Sequence, residues 1–408
     1  MRTSADSTSW LRAALACTPG ALGRPARQPT DTVRLMIAQS ATAGLARGSY
    51  ALGAAELLGQ AGLACHQPLQ ALRGGYAQHA RVQRELAAAG VAAPPADQRV
   101  LRELGQHIAG LLPEHAGHAI MRAAQQAQAR RRRLRIVIEV AHDALAALSI
   151  PWELMALPGG HGESLLLDAG ATLVRQVRGV GRPAPRRLNR PLRVQAVAAA
   201  PAGSQTIDLA AALAVFEQAP AGQIAADWYA GPGTLGQLQA RLQARRPQVV
   251  HVLCHGEPCD TGRGQPRCDL LLTHTDGNTQ RVGATELARV LALAPQLQLV
   301  MLQCCHAGST LAGPGAAPPT DSIALTLVRY GVPAVVAMQG EVSQPAANAF
   351  ARACYAGLAQ GDSIGQAVAA GRVAMLADGS SADWALPVLY TGWDRTPAAW
   401  LRLAESRF

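Results

Sequence analysis

Short apolar runs alternate with segments of helical periodicity in the second half of the chain. The apolar runs predict strands over 192–198, 248–253, 297–302 and 334–338. Apolar residues that recur every three or four positions predict the intervening helices, which cover 209–218, 234–245, 284–294, 322–330 and 344–360. Strands that alternate with helices indicate an α/β fold with an open, mainly parallel sheet flanked by helices.

The first half of the chain has a less regular pattern. Residues 1–31 are polar and contain prolines, which favours a loose N-terminal leader. Residues 32–100 mix short apolar stretches with Gly and Ala, and the bounds of their strands do not follow from this pattern. One or two helices with a break at Pro113 are predicted over 101–128, and a β-branched strand over 134–140 follows them.

An arginine- and proline-rich segment separates the two halves. Residues 178–193 are predicted to form an exposed linker, because prolines and arginines replace the apolar pattern there. We therefore divide the chain into a leader (1–31), an N-terminal half (32–190), a C-terminal domain (191–396) and a tail (397–408).

Two short strings follow two of the predicted strands. His255-Gly256 comes after the run 249–253, and Gln303-Cys304-Cys305-His306-Ala307-Gly308 comes after 297–302. Because loops at the carboxyl ends of parallel strands gather at one edge of the sheet, we expect the strings to meet. A cysteine attacks a carbonyl as its thiolate, and it needs a neighbouring base and N–H donors for the oxyanion. The strings supply both.

These residue types predict a catalytic pair of Cys305 and His255. The amides of Gly256 and Cys305 are the predicted oxyanion donors, and the glycine at 308 is expected to permit a sharp turn that exposes the nucleophile. The neighbouring His306 is a poorer base, since adjacent side chains diverge in an extended segment. The spacing from His255 to Cys305 is 305 − 255 = 50 residues, and a Q-x-C-x-G-type string with a histidine about 50 residues upstream resembles the caspase signature.

Further segments extend this resemblance to the CHAT family of caspase-like peptidases. The strings themselves, the stretch 321–338 and three outlying blocks at 150–154, 350–358 and 384–390 are similar to that family and occur in its order. The resemblance covers roughly residues 32–396. It implies a caspase-like sheet in which an inactive, peptidase-like half, here 32–190, precedes the catalytic domain.

The resemblance also implies a function. It suggests a cysteine endopeptidase that cuts one dedicated protein substrate in bacterial signalling, regulated cell death or antiviral defence, with a gasdermin-like pore former as a hypothesis for that substrate. A separate activator or sensor protein is expected as a further partner. Gln303 occupies the place of a substrate-binding residue, although the side chain that it selects does not follow from the sequence. A catalytically silent caspase-like scaffold or sensor is the first alternative.

A structural zinc-binding domain is the second alternative. Six potential ligands lie near the same predicted edge: Cys254, Cys259, Cys268, Cys304, Cys305 and His306. Neither a C-x-x-C pair nor an H-E-x-x-H string accompanies them, so we predict no metal and no cofactor. Cys254 and Cys304 are interpreted as small core residues. His251 is likewise interpreted as a buried histidine with satisfied hydrogen bonds rather than as a second catalytic imidazole.

Two other patterns have plain structural interpretations. The G-x-G-x-x-G match at 231–236 is interpreted as a loop-to-helix junction with Thr234 as the N-cap rather than as a dinucleotide site. Trp152 is expected to bury its ring between elements rather than to contact substrate.

Composition bears on the binding partners and the cellular location of the protein. The formal net charge is +10, but all of the 37 basic residues are arginine, which is as consistent with a GC-rich genome as with phosphate binding. We therefore predict no required nucleic-acid partner. The eight cysteines show no spacing typical of a disulfide framework, and no apolar stretch is long enough for a membrane span, so a cytoplasmic location without membrane contact is expected.

Overall fold

The computed structural model describes most of the chain from residue 96 onward and two strands before it. The described residues are 32–39, 48–54, 96–112, 114–129, 134–140, 145–156, 164–168, 171–177, 188, 190–204, 207–218, 222–228, 233–259, 267–309, 322–377 and 383–392. The predicted leader 1–31, the tail 397–408 and most of the predicted linker 178–193 lie outside them.

The described strands form a large sheet and a small one. Their bounds are β1 (Thr32–Gln39), β2 (Gly48–Ala54), β3 (Leu134–Val140), β4 (Thr172–Val177), β5 (Leu192–Ala198), β6 (Ile224–Trp228), β7 (Val249–Leu253), β8 (His255–Cys259), β9 (Arg267–Thr273), β10 (Thr279–Val282), β11 (Leu299–Gln303), β12 (Ala334–Met338) and β13 (Pro387–Thr391). The large sheet has the order β2-β1-β3-β4-β13-β12-β11-β7-β5-β6, and β10-β9-β8 form the small one.

The large sheet is mainly parallel. Six of its nine strand pairs are parallel, and the antiparallel ones are β1–β2, β1–β3 and β12–β13. Strands β7, β11, β12 and β13 are buried along their whole length. Their sequences are mostly apolar, as expected when both faces of a sheet are covered, with His251, Gln303 and Thr391 as buried polar exceptions. The predicted α/β class with a mainly parallel sheet flanked by helices is confirmed.

Helices connect the strands. Their bounds are α1 (Ala96–Gly110), α2 (Glu114–Ala129), α3 (Leu165–Asp168), α4 (Leu209–Glu217), α5 (Leu235–Arg245), α6 (Ala284–Leu291), α7 (Ile323–Arg329), α8 (Gln344–Gln360) and α9 (Ile364–Ala377), with 3₁₀ turns at Leu145–Ser149, Trp152–Leu154 and Asp383–Ala385. None of the helices within the described ranges is long and apolar enough to cross a membrane.

Local signals set several of these bounds. Thr234 caps α5: its hydroxyl accepts from the Gln237 amide, and the Gln237 side chain accepts from the Thr234 amide. The loop-to-helix interpretation of this segment is thus confirmed at its described residues, while 231–232 lie outside them. Helix α8 has a proline in its first turn and ends at Gly361, whose φ of 97° is left-handed.

The large sheet continues across the predicted boundary at residue 190. Strand β13 lies beside β12 of the C-terminal domain and beside β4 of the N-terminal half. Most buried apolar residues within the described ranges form one core, which includes Trp152 and Trp384, and Ala198, Ala212 and Leu253 form a small second cluster. The Trp152 ring is fully buried and its indole N–H donates to the Ala147 carbonyl at 3.0 Å, which confirms its interpretation as a packing residue.

Candidate active site

The two strings meet at the carboxyl edge of the large sheet. In the parallel pair β7–β11, Leu253 is the register partner of Gln303. Each strand then ends, so His255 and Cys305 both stand two residues past the last register pair. One residue past it, the sulfur atoms of Cys254 and Cys304 lie 3.3 Å apart. The expectation that the strings lie side by side is confirmed.

Gly256 contacts the backbone of Cys305. A Cβ built on Gly256 would lie 1.9 Å from the Cys305 carbonyl oxygen and 3.0 Å from its carbonyl carbon. Any side chain at 256 would therefore collide with the main chain that carries the predicted nucleophile. His255 and Cys305 are both half-buried, which leaves each side chain partly accessible to a substrate.

The segment that carries Cys305, here called the Cys305 turn (304–308), is held by its neighbours. The His306 amide donates to Gly340 O at 3.3 Å, and the Gly308 amide donates to Met338 O at 2.8 Å. The Ala307 carbonyl accepts from the Ala324 amide at 3.1 Å. Hydrogen bonds to the ends of β12 and α7 thus fix the turn relative to the sheet.

The left-handed residue of this turn is His306, not Gly308. His306 has a φ of 59°, a conformation that costs a non-glycine residue free energy. Gly308 is needed for a different reason: a Cβ there would lie 2.6 Å from a methyl group of Val388 and 3.2 Å from the Ala337 Cβ. The prediction that the glycine makes the turn sharp was therefore wrong, since tight packing against β12 and β13 requires it.

Three other thiols at this edge, those of Cys254, Cys268 and Cys304, are buried, whereas Cys259 is half-buried. Cys304 and Cys254 are 1% and 3% exposed. Burial, reinforced by the contact with Cys254, raises the pKa of Cys304 well above its ordinary value. Burial also raises the pKa of Cys268, whose thiol lies 3.6 Å from the Cys305 carbonyl oxygen. The interpretation of Cys254 and Cys304 as core residues is confirmed, and the raised pKa values make Cys304 and Cys268 poorly suited to be thiolates.

Gln303 belongs to a buried polar network. Its carboxamide oxygen lies 3.1 Å from Nε2 of His251, and its amide donates to Asn348 Oδ1 at 2.9 Å. The Tyr355 hydroxyl lies 3.1 Å from Nδ1 of His251. Gln303 is 5% exposed, and its hydrogen bonds to His251 and Asn348 fix the orientation of its carboxamide. Its role in substrate binding stays a prediction.

His251 is a core histidine, as interpreted from the sequence. It is buried, both ring nitrogens have partners, and burial lowers its pKa to about 4. The imidazole is therefore neutral near pH 7. Asn348 and Tyr355 were not predicted as part of the site, although their spacing of seven residues places them on one face of the predicted helix 344–360.

Two carboxylates near the site, those of Glu341 and Glu257, lie close to basic side chains. The carboxylate of Glu341 lies 3.9 Å from Nε2 of His306 and is mostly exposed. On β8, Glu257 forms an exposed ion pair with Arg281 at 2.7 Å. Such solvated pairs contribute little to stability. No group of three or more His, Cys, Asp or Glu side chains within the described ranges is placed to hold a metal ion.

Comparison with known proteins matches most of the chain to one family. The family model described as "CHAT domain" matches residues 98–392. No curated protein matches the chain significantly. Two solved structures are similar in fold. The Arg-specific cysteine proteinase gingipain R is 12% identical, over 71% of this chain and 69% of that one, with a TM-score of 0.43. The complex of the pro- and mature domains of RgpB from Porphyromonas gingivalis is 12% identical, over 71% of each chain, with a TM-score of 0.44.

Proposed function

The chain belongs to the CHAT domain family, and on this basis we propose that it is a caspase-like cysteine endopeptidase. The match confirms the resemblance found in the sequence, over residues 98–392 rather than from residue 32. The observation that carries the proposal is the contact of Gly256 with the Cys305 backbone, because it brings His255, Gly256 and Cys305 to one place at the sheet edge.

The proposed reaction proceeds in two steps. His255 takes the proton of the Cys305 thiol, and the thiolate attacks the peptide carbonyl of the substrate. The amides of Gly256 and Cys305 donate to the oxyanion that forms. His255 then gives its proton to the leaving amine, which leaves an acyl-thioester on Cys305. A water molecule, activated by His255, hydrolyses the thioester and releases the free thiol.

The proposal extends to the substrate, the activator and the cellular compartment. We propose that Gln303 serves substrate binding, since it stands two residues before Cys305. Its carboxamide is bonded to His251 and Asn348 and is 5% exposed, so it would act from the floor of the site rather than as an open side chain. The dedicated substrate is a protein, with a gasdermin-like pore former as the hypothesis, and a separate activator or sensor controls cleavage in bacterial cell death or defence. Neither nucleic acid nor membrane is required, and the chain acts in a reducing compartment such as the cytoplasm.

Paired cysteine variants test the chemistry. Cys305→Ala should abolish cleavage of a pooled fluorogenic peptide library, whereas Cys304→Ala should retain most of it, since the Cys304 thiol is buried against Cys254. His255→Ala should lose nearly as much activity as Cys305→Ala, because the two residues act as a unit. Equal loss in both cysteine variants, with melting temperatures unchanged, would contradict the assignment.

A second measurement separates the enzyme from a silent scaffold. Peptidyl electrophiles with varied terminal residues should label Cys305 of the native chain, as located by mass spectrometry, and His255→Ala should prevent the labelling. Iodoacetamide serves as the reference reagent, because it needs no peptide recognition. A chain that reacts with iodoacetamide but with no peptidyl electrophile, with or without an activator, would support the scaffold alternative.

A further inference from the structure

A buried ion pair lies beneath the site in the N-terminal half. Arg175 on β4 and Glu153 in the 3₁₀ turn Trp152–Leu154 are 1% and 0% exposed. The guanidinium binds the carboxylate with two hydrogen bonds, one of them from Nε to Oε1 at 3.2 Å and the other from Nη2 to Oε2. Arg175 also donates to the Leu148 carbonyl. Such a pair is costly to desolvate, and apolar residues of similar volume are often as stable in its place.

The pair reaches into the C-terminal domain through Gln339, which directly follows β12. Its carboxamide oxygen accepts from Arg175 Nη2 at 3.0 Å, and its amide donates to Glu153 Oε2 at 3.3 Å and to Ala385 O at 2.7 Å. Gln339 thus bonds to both members of the pair. Its neighbour Met338 accepts the hydrogen bond from the Gly308 amide at 2.8 Å.

Tyr390 connects the same pair to the Cys305 turn. In the parallel pair β4–β13, Tyr390 is the register partner of Arg175, and its hydroxyl lies 3.4 Å from Arg175 Nη1. The hydroxyl donates to the Gly308 carbonyl at 3.0 Å. Both polar groups of Gly308 are therefore held, the amide by β12 and the carbonyl by Tyr390.

Arg175 and Tyr390 have the protonation states that their hydrogen bonds require. Burial would lower the pKa of Arg175, but the electrostatic interactions and hydrogen bonds with Glu153 and Tyr390 together outweigh it and raise that pKa. Burial raises the pKa of the Tyr390 hydroxyl. Arg175 therefore stays charged and Tyr390 stays a donor throughout the physiological range.

We infer that Glu153, Arg175, Gln339 and Tyr390, here called the Glu153 network, are positioning residues that fix the Cys305 turn for catalysis. The inference rests on the proposed function. Tyr390 acts through the Gly308 carbonyl, three residues after Cys305, and the other three residues hold Tyr390 and the end of β12 in place. A purely structural pair would leave the rate of the chemical step unchanged.

Tyr390→Phe is the central test, because it keeps the packed ring and removes only the hydroxyl. The expected result is a fall in kcat on the pooled fluorogenic peptides of about ten- to a hundredfold, as for a small misplacement of a catalytic group, with KM within about twofold. Thr172→Val is the matched control, since it keeps the side-chain volume and removes only a buried hydroxyl, which donates to the Leu134 carbonyl at 3.5 Å, outside both the Glu153 network and the Cys305 turn. It should leave kcat unchanged below its melting temperature.

Hydrogen exchange gives a readout that does not depend on activity. In Tyr390→Phe, the amides of peptides that cover 304–309 should exchange about tenfold faster, since one hydrogen bond that closes the turn is lost. Thr172→Val should leave those peptides unchanged. Equal exchange and equal kcat in the two variants, with similar melting temperatures, would overturn the inference.

The two proposals fail in different ways. If the wild-type chain neither cleaves peptides nor reacts at Cys305 with peptidyl electrophiles, the proposed function fails, while the exchange measurement still decides whether Tyr390 holds the turn. If the wild type is active and Tyr390→Phe matches it in kcat, the proposed function stands and the positioning role is refuted. Arg175→Met should repeat the loss in kcat that is expected for Tyr390→Phe.

Discussion

Gly256→Ala is the substitution whose effect follows most directly from the geometry of the site. The added methyl group would lie 1.9 Å from the carbonyl oxygen of Cys305, whereas real Cβ atoms essentially never approach a heavy atom closer than 3.0 Å. The two segments must therefore separate by at least 3.0 − 1.9 = 1.1 Å. The atom that blocks the methyl group is backbone, so no side-chain rotation can relieve the contact.

This displacement sets the size of the expected effect. A misplacement of about 1 Å in a catalytic constellation can lower the rate about a hundredfold, which corresponds to about 2.7 kcal/mol in the activation free energy. The added volume should also lower the free energy of unfolding by about 1–3 kcal/mol. We therefore expect kcat/KM for Gly256→Ala to fall about a hundredfold, while the protein stays folded at room temperature.

The assay compares Gly256→Ala with a glycine that has room for a methyl group. Gly236, in the first turn of α5, has no heavy atom within 4 Å of a built Cβ. Gly236→Ala should keep the activity and raise stability by up to about 1 kcal/mol. Cleavage of pooled fluorogenic peptides gives kcat/KM, and thermal denaturation gives stability. If Gly256→Ala retains wild-type kcat/KM, the close approach of Gly256 to Cys305 does not matter for catalysis and the reasoning fails.

Three further outcomes are expected. First, acid should destabilise the fold through His251, because burial lowers its pKa from 6.5 to about 4. The stability that the neutral imidazole contributes is fully present above pH 6.5 and is lost as the pH falls from 6.5 to about 4, at up to about 1.4 kcal/mol per pH unit. His251→Asn should reduce the difference between denaturation midpoints measured near pH 7.5 and near pH 5, and an unchanged difference would contradict this. Second, EDTA should alter neither activity nor melting temperature, whereas one molar equivalent of zinc that is lost together with stability would support the zinc alternative. Third, the isolated chain should be latent or narrowly selective, and fast degradation of generic unfolded protein by the chain alone would argue against a dedicated, regulated protease.

Local signals made much of the C-terminal domain predictable. Strand β5, strand β12 and helix α8 lie at their predicted bounds. Each has an unambiguous pattern: β12 is a short, fully buried apolar run after Pro333, and α8 lies between a serine N-cap and a left-handed glycine. The meeting of the two strings could also be predicted, since residues that follow two adjacent parallel strands lie at the same edge of the sheet.

Elements with weak local signals were missed. Strands β6 and β10 have few fully buried residues, so the apolar run that marks a buried strand is absent. Strand β8 begins at His255 itself, within a segment that was interpreted only as the end of β7. Strand β13 is apolar, but its place between β12 and β4 depends on pairing with residues about 50 and about 215 positions away in sequence, and no local pattern encodes such pairing.

The missed strand β13 also changes how the N-terminal half relates to the site. Its register with β4 comprises the pairs Tyr390–Arg175 and Thr391–Gln176, so the halves of the large sheet meet over a short stretch, and the Glu153 network lies across it. A change confined to the N-terminal half, such as Glu153→Gln, would then reach the Gly308 carbonyl through Arg175 and Tyr390, and the Gly308 amide through Gln339 and the end of β12. If the network positions the Cys305 turn, the N-terminal half needs no catalytic residue of its own to control the rate. A partner that alters the environment of Glu153 would have a direct mechanical route to the predicted nucleophile.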